Sequence, residues 1–208
     1  WRSCLPILIL SHAVGTLNVV SVMVMAPVIR GDFSLSAALF GTFVSAYYGA
    51  QALGSLPAGS ITDRFGISRA LLISHLTMLI GALIVALAPD YTVSVVGMVF
   101  MGLGYSLTNP STARGVLLWF PVKRRGLAMG LKQVGVPLGG VLAAVNGGLA
   151  ASIHWQLLMY GVAALIAING ILCMGLFRYE NHVVQMVRPS PFSTIGEVLR
   201  DKNFSIYT

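Results

Sequence analysis

The sequence predicts an all-α, polytopic membrane protein: six transmembrane helices, joined by short connections, forming one bundle. Three observations carry this prediction. The 208 residues are 56% hydrophobic and 9% charged, with a mean hydropathy of +0.84, which leaves too little polar surface to clothe a water-soluble domain. Several separate apolar runs reach the ~20 residues needed to cross ~30 Å of hydrocarbon. Those runs are apolar on every face, whereas a transmembrane barrel needs alternating segments of ~10 residues.

Taken in order, the helices are expected over residues 5–29, 36–58, 70–88, 92–119, 127–150 and 154–177. The first run is too long for a cleavable signal and carries no small-residue cleavage pattern. Arg30-Gly31-Asp32, Pro89-Asp90 and the region of Ser152 close one side of the bundle. On the other side lie the charged stretch from Gly59 to Arg69, which reads as a membrane-surface loop, and the basic run from Pro121 to Gly126. Pro110 is expected to kink the fourth helix, with Thr108 or Asn109 engaging the freed carbonyl.

The cations fix an orientation. Arg2, Arg64, Arg69, Lys123, Arg124, Arg125, Arg178, Arg188, Arg200 and Lys202 fall on one side and Arg30 on the other, so the crowded side is read as cytoplasmic, with both termini there. The net charge of +7 therefore follows topology and gives no reason to invoke nucleic acid. Cys4 and Cys173 both sit beside that face, which argues against a structural disulfide. Residues 178–208 read as a cytoplasmic linker broken by Pro189 and Pro191. Thr194 to Glu197 has the spacing of a capping box, and the chain turns apolar again from Asn203, as at the threshold of a seventh span.

The stretch Gly59-Ser60-Ile61-Thr62-Asp63-Arg64-Phe65-Gly66-Ile67-Ser68-Arg69 resembles the signature between the second and third helices of the major facilitator superfamily of transporters. The runs Asn109 to Arg114, Trp119 to Pro121, Arg124 to Gly130 and Gly135 to Gly140 are similar to its fourth and fifth helices. Ile67 and Ser68 stand where the family usually carries basic residues, and Met98 stands near the place of its fourth-helix arginine. The resemblance covers the chain as the amino-terminal six-helix half, a 3+3 helix repeat over residues 1–177. It implies a second six-helix bundle, from the same chain if this is a fragment and from a homodimer otherwise. A start at Trp1 favours the fragment. Gly59, Asp63, Arg64, Gly66 and Arg69 would then latch this bundle against the other, and Gly135, Pro137, Gly139 and Gly140 would shape helix packing.

Lys132 stands about 9 Å into the fifth helix, where an ammonium must snorkel, pair or face water. It either reaches back to the cytoplasmic interface or marks a cavity wall; Lys132, Gly139 and Asn146 form a small or polar stripe at seven-residue spacing. Ser11, Gly15 and Asn18 share one face of the first helix, and Gly102, Ser106 and Asn109 one of the fourth. In the family the first, second, fourth and fifth helices line the cavity, so the resemblance makes Asn18, Gln51, Asn109, Arg114 and Lys132 the expected solute-facing set, with Gln133 adjoining. His12 and His75 either titrate during transport or sit at the cytoplasmic interface, within a turn or two of which both lie and which is the favoured reading; Trp119 and Trp155 at helix ends read as interfacial.

No nucleophile elbow, zinc spacing or phosphate-binding loop is present, so neither an enzyme nor a nucleotide-driven pump is expected, and no cofactor or metal is called for. The expected function is alternating-access transport of a small solute by an integral protein of a bacterial-type inner or plasma membrane. Lys132 and Arg114 tilt the solute toward an organic or other small anion, with proton coupling a further expectation. Two other readings stay open: export of drugs or metabolites, because Gly135 to Gly140 partly matches the antiporter motif, and a non-transporting scaffold or sensor.

Overall fold

The computed structural model describes residues 4–180, all of whose regular structure is helical. The linker, its capping box and the apolar chain end expected beyond Glu180 lie outside the described residues. Ten helices, α1 (Cys4–Val24), α2 (Ala26–Asp32), α3 (Ala37–Phe65), α4 (Ile67–Leu87), α5 (Tyr91–Ser106), α6 (Thr108–Trp119), α7 (Val122–Gln133), α8 (Gly135–Leu149), α9 (Trp155–Met174) and α10 (Phe177–Glu180), make six rods. Four rods are interrupted: three at Met25, Leu107 and Val134, each two or three residues ahead of a proline, and the last at Gly175-Leu176 between α9 and α10. Pro27, Pro110 and Pro137 supply no backbone N–H, and the chain tightens before the latter two through Leu107 N to Gly104 O (3.3 Å) and Val134 N to Leu131 O (3.1 Å). The hydroxyl of Thr108 does not engage the freed carbonyl; it bonds Ser74 Oγ at 2.9 Å.

The expected loop from Gly59 to Arg69 is corrected by the structure. Helix α3 continues through Phe65, and one residue, Gly66, separates it from α4. Polarity marks where a chain leaves hydrocarbon, while the helix hydrogen bonding ends only where Gly66 adopts φ 88°, a conformation open to glycine. Gly59, Asp63 and Arg64 therefore lie on the last two turns of α3, and Arg69 on the first turn of α4. The amides of Ile67 and Ser68, the unpaired donors that begin α4, donate to the carboxylate of Glu180 in α10. Ser36 and Asp90 cap α3 and α5 by accepting from Leu39 N at 3.1 Å and Val93 N at 3.0 Å.

The rods pair in a pattern that closes on itself under exchange of the first three with the last three. The first rod packs on the fifth (α1 on α8) as the second packs on the fourth (α3 on α5). The third packs on the fourth (α4 on α5) as the first packs on the sixth (α1 on α9), and the third meets the sixth (α4 on α9). This is the expected 3+3 arrangement. Its two equivalent seams are held close by glycine: a Cβ on Gly139 would lie 2.9 Å from Leu17 N, and one on Gly102 would strike the Tyr47 carbonyl. Gly135 meets Ile9 in the same manner, but Gly140 has open space where its Cβ would be, and Pro137 is exposed.

Leucine, isoleucine and valine dominate the outer faces of α8 and α9, while Ser11, Asn18, Ser21, Thr62, Ser74, Thr108 and Thr112 are buried. That distribution suits a bundle whose solvent is hydrocarbon. Five of the six expected spans are long and apolar enough to cross a membrane. The remaining rod, α3, has 29 residues but carries Ser, Thr, Gln and Gly along its length. Trp155 is 1% exposed, not interfacial as expected: its Nε1 donates to Asp32 Oδ2 at 2.6 Å and its ring meets Phe33 edge-on.

The two glycines of the α8 motif should respond differently to substitution. Gly139→Leu forces α8 from α1 and is expected to cost about 1–3 kcal/mol, whereas Gly140→Ala should stay within about 0.5 kcal/mol. Thermal unfolding of the detergent-solubilised protein checks both; equal losses would refute the assigned seam.

Candidate functional site

Lys132 occupies the last turn of α7 and is 3% exposed, so it points into the bundle and does not snorkel. Its Nζ donates to Asn109 Oδ1 at 2.8 Å, to Thr112 Oγ1 at 3.3 Å and to His12 Nε2 at 3.4 Å. These partners come from α6 and α1, and all are neutral. No carboxylate pairs with Lys132 among the described residues. An ammonium carries only N–H donors, so in this arrangement His12 Nε2 must present its lone pair, leaving the ring proton on Nδ1, 3.5 Å from the Tyr105 hydroxyl. The packing explains the meeting: Gly135, without a side chain, lets the α7–α8 rod touch α1 at His12, whose Cβ would lie 2.8 Å from a Cβ on that glycine.

Beside this junction a cleft of about 560 Å³ opens between α3 and the α5–α6 rod. Gln51, Ser55, Ser60 and Asp63 line one wall, and Tyr105 and Asn109 the other. Asn109 belongs to both features. Its exposed side chain lines the cleft while its carbonyl oxygen holds Lys132, so one amide separates a buried ammonium from open space. A charge with neutral partners only keeps its field available to an anion in the cleft. The cleft also presents Gln51, whose Oε1 has no hydrogen-bond partner.

The expected residues are thus dispersed in an informative way. Lys132 and Asn109 are in contact, and Gln51 faces the same cleft. Arg114 forms an ion pair with Asp63, the two side chains being 34% and 39% exposed, which ties α6 to the end of α3 within this bundle. Asn18 is fully buried, away from the cleft lining, with neither amide atom hydrogen-bonded. Gln133 is exposed, Gly59 lines the cleft, and Arg64 lies over the Phe65 ring at 5.7 Å. Thr112 and Tyr105 were missed, and His12 was preferred as interfacial. Thr112 follows Asn109 by three residues, so it shares that residue's helix face, and His12 precedes Gly15 of the first helix's polar stripe by three.

The second histidine is also buried, contrary to expectation. His75 Nδ1 meets Leu71 O at 2.7 Å and its Nε2 meets Asn169 Nδ2 at 2.7 Å; Asn169 in turn donates to Ser11 Oγ at 3.1 Å, joining α4, α9 and α1. Cys4 and Cys173 are free and buried. Among the described residues no group of three His, Cys, Asp or Glu side chains could hold a metal.

Comparison with known proteins places this geometry in context. The family model described as Major Facilitator Superfamily matches residues 8–208. The chain is 25% identical over 197 residues to a hexuronate transporter of Bacillus subtilis (strain 168), covering 93% of this chain and 44% of that protein. It is 29% identical over 169 residues to D-xylose-proton symporter-like 2 of Arabidopsis thaliana, covering 79% of this chain and 33% of that one. The crystal structure of a bacterial homologue of the human lysosomal transporter Spinster, inward-facing and occupied, superposes with a TM-score of 0.70 at 21% identity, over 91% of this chain and 45% of that one. The chain spans less than half the length of these relatives.

The Asp63–Arg114 pair is partly solvated, so its loss should cost at most about 1 kcal/mol of stability. Asp63→Asn and Arg114→Gln are therefore each expected to lower the Tm of the detergent-solubilised protein by at most about 4 °C, and the swapped pair Asp63→Arg with Arg114→Asp to recover much of that loss. A swapped pair no more stable than either single variant would refute a direct contact between the two side chains.

Proposed function

Since the chain belongs to the Major Facilitator Superfamily, we propose that it is the amino-terminal bundle of a secondary transporter that moves a small organic anion by alternating access. One observation carries the choice of solute: the Lys132 ammonium is buried, bonded to neutral groups, and separated from an open cleft by the Asn109 side chain. An entering carboxylate or sulfonate replaces Asn109 Oδ1 on Nζ with a charge-assisted hydrogen bond, roughly twice as strong as a neutral one. Gln51 and Tyr105 offer hydrogen bonds along the cleft walls to hydroxyls of the same solute.

Alternating access needs an opposing wall, and a second six-helix bundle supplies it in this proposal, rocking about a midplane site. The cation distribution supports a cytoplasmic location for the Asp63–Arg114 end of the cleft, and in this proposal α3 crosses the membrane alongside the five more apolar rods. The hexuronate transporter among the relatives supports an acidic solute. A second reading is a neutral sugar, favoured by the resemblance to a xylose-proton symporter; Lys132 then donates to hydroxyl oxygens and adds little discrimination.

Counterflow in liposomes holding the full-length native protein separates the two readings. Uptake of D-glucuronate is expected to exceed that of D-xylose, and Lys132→Gln should lower glucuronate uptake at least tenfold while Lys132→Arg keeps part of it. Xylose uptake that is indifferent to Lys132→Gln, with no glucuronate uptake, would transfer the assignment to the neutral sugar.

A further inference from the structure

We infer that His12 is a protonatable member of this site, so that the bundle takes up one proton with each anion it binds. The inference rests on the anion reading above and adds the group that holds the proton. His12 is 2% exposed on α1, with Nε2 3.0 Å from Thr112 Oγ1 and 3.4 Å from Lys132 Nζ, and Nδ1 3.5 Å from the Tyr105 hydroxyl.

The hydrogen-bond inventory of the junction fits two protonation states. The Thr112 hydroxyl can donate to an unprotonated Nε2 at 3.0 Å, or turn to Thr108 O at 2.8 Å when Nε2 bears a hydrogen; its oxygen, which also accepts from Lys132 Nζ at 3.3 Å, then keeps a second lone pair for that hydrogen. An Nε2–H of His12 finds that oxygen at 3.0 Å, and an Nδ1–H finds the Tyr105 oxygen. An imidazolium therefore has an acceptor for each N–H. Two things oppose it: first the burial of the ring away from water, and second the Lys132 charge, whose donor is directed at Nε2 and has no counter-ion among the described residues.

An anion on Nζ removes the second and, by placing a negative charge beside the ring, offsets the first. It takes the place of Asn109 Oδ1, compensates the ammonium and draws it toward the cleft. The Nε2 lone pair then binds a proton from water, and the new N–H donates to Thr112. When the anion departs, the ammonium turns back to Nε2 and the proton returns to water. The other elements packed on α1 do not compete. The α5 contact is the Tyr105 phenol and the α8 contact is Gly135, while Thr112 of α6 does not titrate. Cys173 of α9 contacts Ser11 rather than the ring, and His75 of α4 is bonded to Leu71 O and Asn169.

Because the anion favours the charged ring, affinity is highest at acid pH and falls as pH rises. Titration calorimetry of the full-length solubilised protein with D-glucuronate, in buffers of different ionisation enthalpy, counts the protons. The wild type is expected to take up about one proton per anion, with Kd rising about tenfold per pH unit on the alkaline side of the transition. His12→Gln should take up none and show a Kd independent of pH. Should that variant fail to fold, Thr112→Val removes the acceptor for Nε2–H and should move the transition down by about one pH unit. Glucuronate binding without proton uptake in the wild type, or proton uptake retained in His12→Gln, overturns the role of His12 while leaving the anion site in place. Absence of glucuronate binding in the wild type overturns both.

Discussion

Along the seam between α1 and α8, backbones touch because Gly135 and Gly139 have no side chains, and much of the site follows from that closeness. Hydrocarbon gives apolar helices no hydrophobic reason to associate, so association depends on fit and on hydrogen bonds between helices. Closing this seam brings His12 and the α7–α8 rod together, and the junction of His12, Thr112, Asn109 and Lys132 forms where α6 joins them. The equivalent seam at Gly102 draws α3 onto α5, and there the polar side chains face a cleft instead. The two halves of one repeated design therefore serve different ends: one buries a cation, and the other opens a space beside it.

The architecture was largely legible in the sequence, because length and apolarity are what the bilayer selects. The helix ends were less so. The stretch from Gly59 to Phe65 reads as a loop by charge, yet a helix pays no penalty for continuing into water, and only the positive φ of Gly66 ends it. Pro110 announced a kink, whereas the breaks ahead of Pro27 and Pro137 were not anticipated, and the interruption of each rod upstream of its proline depends on local hydrogen bonding that spacing does not reveal.

The site was legible in part. Lys132 stood out because an ammonium inside a span demands a partner, and Asn109 because it shares a polar face. His12 did not, since its position near a helix end is equally consistent with the interface, and only the crossing of α1 with α6 and α7 distinguishes the two. Arg114 and Asp63 are far apart in sequence, so nothing local joined them; their pairing comes from α3 and α6 lying side by side, as the Thr62–Ser111 hydroxyl contact at 2.9 Å also shows. Trp155 was misread for a similar reason: a helix-end tryptophan belongs to the interface unless a neighbour such as Asp32 offers its N–H a buried acceptor.

The carboxylate of Glu180 spans the two amides that begin α4, and Gly66 leaves room for it. This contact makes the last rod and the α3–α4 corner mechanically one piece. Two places that the sequence sets 113 residues apart therefore share one joint, and any change that loosens α10 also strips the first amides of α4 of their acceptor.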